Sequence, residues 1–321
     1  MVTWQSLLRC LLFGIGIVAV TGGWAAEPTP QPLPRLETGM HTATIWRIAT
    51  DATGRWAVTA SEDKTARVWE VASGQQVAVL RPPQDVGRVG KLYAVALSPD
   101  GIVAAVGGWT KLGSETGNTI YFFDRASAHL LRRLPGLPDN INHLAFSPDG
   151  RWLAASLGGK NGVRLFDARS GVETGSDAEY GYGSYSAHFS PDGQRLLATS
   201  IDGEVRLYSV KEGKLGPPKR ARPGGGKGLI AARFSPDGGL IAVGFMDSTV
   251  VQVLDAETLA EVARPATTGV DNGVLAIVAG APTAATCWRA GNGSWAARPW
   301  RVAGRSASGR AMRTYHWRAT R

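Results

Sequence analysis

The sequence contains very little cysteine: Cys10 and Cys287 are the two copies among 321 residues. Both lie outside the central part of the chain, so neither a disulfide framework nor a cysteine zinc site is available there. The histidines have no metal-ligand spacing; they are His41, His129, His143, His188 and His316. We therefore expect no metal and no cofactor.

Acidic residues are absent from residues 279–321, which contain eight arginines and no lysine. The formal charge of the whole chain is +9, and it falls to +1 when those eight arginines are set aside. A strongly basic chain would suggest nucleic acid or an acidic membrane surface as a partner. Because the body of the protein is close to neutral, we expect no nucleic acid partner.

Long hydrophobic runs are also scarce. One run of eleven residues, 10–20, follows Arg9 and is too short to span a bilayer comfortably. Small residues at Gly23 and Ala25 predict a signal peptide at 1–25 that is cleaved after Ala25, with an uncleaved anchor as the alternative. Alternating prolines then predict an extended linker at 26–39, with the domain beginning near Met40. The protein is expected to be exported, to a periplasm or outside the cell, with no other membrane contact.

What the sequence has in abundance is an internal repeat. Four segments are nearly identical: "VALSPDGIVAAVGG" from Val95, "LAFSPDGRWLAASL" from Leu144, "AHFSPDGQRLLATS" from Ala187 and "ARFSPDGGLIAVGF" from Ala232. A looser copy, "IATDATGRWAVTAS", begins at Ile48. Each unit of roughly 45 residues predicts four strands with a tight Ser-Pro-Asp-Gly turn and no helical periodicity. This pattern predicts an all-β fold built from the blades of a β-propeller.

The third strands end in "VWE", "FFD", "LFD", "LYS" and "VLD". Together with the turns, these endings resemble the WD40 repeats of bacterial WD40-like propeller proteins over residues 40–278. The resemblance implies five blades and the start of a sixth at 272–279. Such a ring is incomplete relative to a closed seven-bladed disc. The resemblance also implies a structural hydrogen-bonded tetrad in the first blade, at His41, Ser61, Asp63 and Trp69. A catalytic role for this set is the less favoured interpretation, since its place in the fold already explains it.

No catalytic constellation emerges from the remaining residues. The segment "RPGGGKG" at 222–228 has the glycines of a phosphate loop, but it lacks the Ser or Thr after Lys227 and does not join a strand to a helix. The aspartates follow the repeat and mark turns. We therefore expect a protein that is not an enzyme.

In WD40-like propellers, one face carries the loops between blades and the loops between second and third strands. Glycine-rich loops with aromatic and basic residues are typical of recognition surfaces. The candidate partner-binding residues on this face are Trp109, Lys111, Tyr180, Tyr182, Tyr185, Arg220, Arg222 and Lys227. The alternative is that these are ordinary loops whose aromatics pack on neighbouring blades.

The favoured function is a non-catalytic scaffold that binds a protein or peptide. Two alternatives remain open: a sensor or scaffold part of a larger protein, for example one with a caspase-like peptidase domain, and a propeller-type hydrolase or lactonase. The first would need a further domain beside the propeller, and the second would need a metal or a cluster of acids and histidines at the channel.

The composition of residues 279–321 changes abruptly, to eleven Ala, eight Arg and four Trp. If the codons of 279–290 are read from their third base, they can encode "WSPDGR", one unspecified residue and then Leu-Leu-Ala, in register with "FSPDGQRLLA" at 189–198. This coincidence predicts that the tail is out-of-frame text, by mutation or sequencing error, and has no regular structure beyond about residue 282.

Overall fold

The computed structural model describes residues 38–265 and the two strands within 286–299. The predicted signal peptide, nearly all of the linker and the predicted first strand of a sixth blade lie outside the described residues. Every regular element of the described chain is a β-strand. No helix in this part of the chain is long and apolar enough to cross a membrane.

The strands between residues 45 and 263 form five antiparallel sheets in chain order, and each of these sheets is one blade. Blade 1 contains β1 (Ile45–Thr50), β2 (Trp56–Ser61), β3 (Ala66–Glu70) and β4 (Gln75–Leu80); blade 2 contains β5 (Leu92–Leu97), β6 (Val103–Gly108), β7 (Asn118–Asp124) and β8 (Leu130–Leu137). Blade 3 contains β9 (Ile141–Phe146), β10 (Trp152–Leu157), β11 (Val163–Asp167) and β12 (Glu173–Asp177). Blade 4 contains β13 (Ser184–Phe189), β14 (Arg195–Ser200), β15 (Val205–Lys211) and a divided outer strand, β16 (Lys214–Leu215) and β17 (Lys219–Ala221). Blade 5 contains β18 (Leu229–Phe234), β19 (Leu240–Phe245), β20 (Val251–Asp255) and β21 (Glu261–Ala263).

The inner strands β1, β5, β9, β13 and β18 surround one central channel, with a cavity of about 630 Å³ lined by residues of all five blades. The apolar core lies between successive blades: Val58 packs with Val95 between blades 1 and 2, and the other three interfaces are built in the same way. Small residues such as Ala60 and Ala104 are fully buried and allow the sheets to approach closely. The all-β propeller prediction is confirmed, with five four-stranded blades.

The Ser-Pro-Asp-Gly turn explains why the repeat is so visible in the sequence. In blade 3, the Ser147 hydroxyl donates to Asp149 at 2.5 Å and accepts from the Trp152 amide at 2.9 Å. Gly150 has φ +72°, a left-handed conformation that favours glycine. The same glycine lies against Pro99 of the preceding turn. Each turn therefore closes its own hairpin and also contacts the neighbouring blade.

Two further strands, β22 (Thr286–Gly291) and β23 (Ser294–Pro299), form a separate antiparallel pair. The expectation of no regular structure beyond about residue 282 is therefore wrong for these strands. Thr286 pairs with Pro299 and Gly291 pairs with Ser294, so the two strands form one continuous antiparallel ladder. The pair is not a four-stranded blade, and the out-of-frame origin of the tail stays a prediction.

Candidate functional site

Blade 1 contains a chain of hydrogen bonds that runs across its strands. Trp69 donates its indole N–H to the hydroxyl of Thr59 at 2.8 Å, and that hydroxyl lies 2.7 Å from Nε2 of His41. Nδ1 of His41 lies 2.8 Å from a carboxylate oxygen of Asp63. Because a carboxylate only accepts, His41 donates from Nδ1, and in the neutral imidazole its Nε2 accepts from Thr59. The direction is therefore Trp69 to Thr59 to His41 to Asp63.

Ser61 lies outside this chain, which corrects the predicted tetrad. Its hydroxyl donates to the carbonyl of Ala43 at 3.1 Å and accepts from the amide of Asp63 at 3.1 Å. Thr59 and Ser61 are two residues apart on β2 and share one face of the strand, so spacing alone does not separate them. Trp69 on β3 pairs with Ala57 on β2. Thr59 is two residues from Ala57 and Ser61 is four residues from it, so the Thr59 hydroxyl is the one that the Trp69 indole reaches.

The Asp63 carboxylate anchors this arrangement. Burial by itself would raise its pKa, but hydrogen bonds from Thr65 and His41 and from the amide of Thr42 hold the pKa below its usual value. The carboxylate is therefore ionised at neutral pH and fully engaged by its neighbours. Each of these groups is hydrogen-bonded to another group of the same blade.

One face of the propeller is defined by a bond that recurs in every blade. The loop after each second strand donates an amide to the loop that enters the blade: Glu62 to Thr44, Trp109 to Lys91, Gly158 to Asn140, Ile201 to Gly183 and Met246 to Gly228, at 2.8–3.2 Å. We call this surface the loop face, and the opposite surface, with the Ser-Pro-Asp-Gly turns, the turn face. All eight predicted partner-binding residues lie in loops or near strand ends that form the loop face or border it.

The insertion of blade 2 separates its two predicted contact residues. Lys111 is exposed, and its amide is held by the side chain of Asn118 at 3.1 Å. Trp109 is half-buried and hydrogen-bonds the hydroxyl of Tyr93. Trp109 is thus partly used to hold the loop in place, and Lys111 is the more available of the two.

Tyr180 is not available for contact, which corrects its assignment to the binding surface. It is 3% exposed, its hydroxyl lies 2.8 Å from that of Tyr208, and the guanidinium of Arg206 lies 3.8 Å above its ring. Arg206 also binds Asp177 at 2.8 Å and Glu204 at 2.7 Å. Burial raises the pKa of the Tyr180 hydroxyl, so it remains protonated.

Tyr182 is the most prominent aromatic of the loop face, with 62% of its surface exposed. Together with the half-buried Tyr185 it borders a recess of about 380 Å³ between blades 3 and 4. Lys160 and Asn142 line the same recess. An exposed ring beside a recess with a cationic rim is a suitable contact for an apolar or acidic side chain.

The basic loop into blade 5 is only partly free. Arg222 is exposed but contacts Asp202, whose carbonyl and carboxylate lie 3.1 and 3.4 Å from it. Arg220 lies 3.4 Å from Glu179. Lys227 is exposed, and its amide, not its ammonium, is held by Asp247 at 2.8 Å. Lys111 and Lys227 are therefore the predicted cations whose side chains make no ion pair with the described residues.

The described residues contain no group of three or more His, Cys, Asp or Glu placed to hold a metal ion. Sequence reasoning missed Thr59 and the Arg206 network. The alternation of Glu204, Arg206 and Tyr208 along one strand was a signal for that network, although Asp177 reaches it from the preceding blade.

Comparison with known proteins agrees with this geometry. The model of the WD domain, G-beta repeat, matches residues 34–70, 128–167 and 181–209. These three segments of the chain are similar to WD40 repeats. The matched segments contain inner strands of blades 1, 3 and 4 and the outer strand β8 of blade 2, and no part of blade 5.

Among curated proteins, this chain is similar to the small ribosomal subunit protein RACK1 of Caenorhabditis elegans, 29% identical over 48% of this chain and 46% of that protein. It is also similar to the LST8 homolog of Drosophila melanogaster, 27% identical over 52% of each, and to RACK1 of Schizosaccharomyces pombe, 32% identical over 39% of each. The match spans about half the length of these relatives.

Proposed function

We propose that this protein is a non-catalytic interaction module that binds a protein or peptide segment through its loop face. A propeller of WD40 repeats is an architecture typical of protein-interaction scaffolds. The observation that carries the proposal is the exposed Tyr182 ring beside the recess between blades 3 and 4. The loops of this face are held in place in every blade by the same backbone hydrogen bond.

The charges around this recess support a particular partner chemistry. Lys111, Lys160 and Lys227 are exposed on the loop face and form no ion pair with the described residues. Aromatic and cationic side chains together favour a segment that offers apolar and acidic side chains. Arg220 and Arg222 are already paired with carboxylates. They would contribute less to binding affinity, because an acidic group of the partner must replace an existing one.

The binding experiment compares variants on the two faces. The combined change Tyr182→Ala and Lys111→Ala should weaken capture of the partner by at least tenfold, because it removes a ring anchor and a charge. Ile102→Ala is the matched control, since Ile102 is 53% exposed beside a Ser-Pro-Asp-Gly turn on the turn face. Affinity would be measured by surface plasmon resonance with the captured partner. Equal affinity of both variants and the wild type would contradict a role for the loop face.

We also propose that the module belongs to an exported protein, on the strength of the N-terminal pattern of Arg9, the apolar run and Ala25. Expression with a C-terminal tag, followed by fractionation and intact mass, would test this. The expected product is outside the cytoplasm and begins at Ala26. A cytoplasmic product that retains Met1 would contradict export while leaving the loop-face proposal standing.

A further inference from the structure

The five inner strands can be compared position by position, because each ends in the same turn. Two positions on each strand, three and five residues before the turn proline (or Ala52 in blade 1), share one side of the strand. Five of these ten residues are alanine and one is Ser186. The other four are basic or ionisable: Arg47, His143, His188 and Arg233.

These four side chains come together in the channel. Arg233 donates to Nδ1 of His188, and the rings of His188 and His143 stand edge to face with centroids 4.4 Å apart. Arg47 donates from one terminal nitrogen to the carbonyl of Tyr185 at 3.0 Å. His143, His188 and Arg233 line the 630 Å³ cavity that opens toward the turn face. The alanines at the remaining positions leave the space beside them open.

Two of the polar atoms in this cluster have no partner. Nε of Arg47 and Nδ1 of His143 are buried and make no hydrogen bond with the described residues. His143 is 5% exposed, and the backbone of Ala187 hydrogen-bonds its imidazole, so the unpartnered nitrogen is the other one. Buried polar atoms are normally paired, so these two indicate a missing binding partner.

The cluster has positive charge, and its arginines form no ion pair with a carboxylate of the described residues. Burial lowers the pKa of Arg47 to about 10; burial, and then the charge of Arg47, lower that of Arg233 to about 9. Both remain protonated at neutral pH. Burial, followed by the charges of the two arginines, holds the pKa values of His143 and His188 well below the ordinary value.

The acid that lines this cavity is Asp51, and it is already engaged. Its carboxylate accepts from the hydroxyl of Thr53 and from the amide of Trp56 at 2.8 Å. It forms no ion pair with Arg47 or Arg233. Two guanidinium groups that face one channel and form no ion pair with the described residues are costly to the apoprotein, and an anion would offset that cost.

We propose that the central channel binds a small oxyanion ligand, with a phosphate or carboxylate group held by Arg47, His143, His188 and Arg233. Guanidinium groups supply the paired N–H donors that match such oxyanions. The cavity is larger than a single phosphate and has the size of ordinary ligand pockets, so the rest of the ligand occupies the channel toward the turn face. This site is separate from the loop face and does not depend on the partner proposed there.

Binding should draw protons into the site. An anion beside His143 and His188 favours their charged forms, which raises their pKa values toward the pH interval of the titrations, 6 to 8. Affinity should therefore increase as the pH falls from 8 to 6. Calorimetric titrations in phosphate-free buffers of different ionisation enthalpy would report this proton uptake directly.

The experiment uses the full chain and three probes: inorganic phosphate, pyrophosphate and citrate. Binding of the first two but not of citrate would assign the site to phosphates, and the reverse would assign it to carboxylates. Arg233→Gln should weaken binding of the preferred probe by about tenfold or more, since it removes charge-assisted hydrogen bonds. Arg169→Gln is the matched control, because Arg169 is exposed on the turn after β11 and loses the same charge.

A stability readout separates ligand binding from a purely structural role. Without ligand, Arg233→Gln should be at least as stable as the wild type, because it removes repulsion from Arg47. At the same probe concentration, the wild type should gain more melting temperature than Arg233→Gln. If Arg233→Gln does not fold, His188→Gln takes its place in the binding assay. Absence of binding by all three probes, or equal binding by wild type and channel variant, would overturn the proposal.

Discussion

The hydroxyl of Thr59 should contribute more to the stability of blade 1 than any other single atom in its hydrogen-bonded chain. It accepts from Trp69 at 2.8 Å and lies 2.7 Å from His41, whose side chain is 2% exposed. Thr59→Val keeps the shape of the side chain and removes the hydroxyl. Two polar groups then lose their partner inside the protein.

The magnitude follows from those two groups. A buried donor or acceptor left unpaired costs about 1–3 kcal/mol, and the half-buried Trp69 belongs at the lower end of that range. We therefore expect Thr59→Val to lower the free energy of unfolding by about 2–4 kcal/mol. Thr59→Ser keeps the hydroxyl and loses one methyl group, so it should cost about 1 kcal/mol.

Urea unfolding followed by tryptophan fluorescence provides the measurement. Ser61→Ala is the second comparison, because Ser61 bonds to Ala43 and Asp63 but not to the chain itself; it should cost about 1 kcal/mol. The reasoning is refuted if Thr59→Val lies within 0.5 kcal/mol of the wild type, on the order of experimental error, or if Ser61→Ala is the more damaging change.

Three other changes test the described structure. Arg206→Met should cost about 3–5 kcal/mol in urea unfolding, because it leaves two neighbouring carboxylates without their cation; a loss below about 1 kcal/mol would contradict the network. Gly150→Ala should lower stability by about 1–2 kcal/mol because its φ is positive, while Gly239→Ala, where φ is not positive, should change it little. His143 and His188 have depressed pKa values in the folded state, so the unfolded chain binds more protons and stability should fall as the pH drops below about 6.5. The His143→Gln/His188→Gln variant should show a flatter profile between pH 7 and 5, and an unchanged profile would count against burial of neutral rings.

The blades could be predicted from the sequence because their determinants are local. A Ser-Pro-Asp-Gly turn makes its bonds within six residues, as Ser147 does with Asp149 and Trp152. Alternation along the flanking strands then fixes which side chains enter the core. The four-stranded unit follows from these signals without any knowledge of distant contacts.

The site residues were harder to predict because their environment comes from other blades. Tyr180 has the sequence context of an exposed loop aromatic, yet Arg206 and Tyr208 from the next blade cover it. Thr59 and Ser61 have the same spacing pattern and differ only in which groups approach from neighbouring strands. Such differences arise from contacts that are 10 and 18 residues apart for Thr59 with Trp69 and His41, and 28 residues apart for Tyr180 with Tyr208, and local pattern does not contain them.

Repeats within one chain supply a comparison that a single non-repeating sequence does not offer. Where the five units agree, at the turns and the buried strand positions, the residues have the same structural task in every blade. Where they differ, the fold does not require the difference. Three blades have alanine three residues before the turn proline (or Ala52 in blade 1), namely Ala49, Ala96 and Ala145, and these alanines line the channel. The blade therefore does not need a larger side chain at this position. His188 and Arg233 at the equivalent positions therefore are not needed for the blade, and together they place buried charge and imidazole in one cavity. That departure from the repeat, rather than the repeat itself, is the physical reason to look for a ligand in the channel.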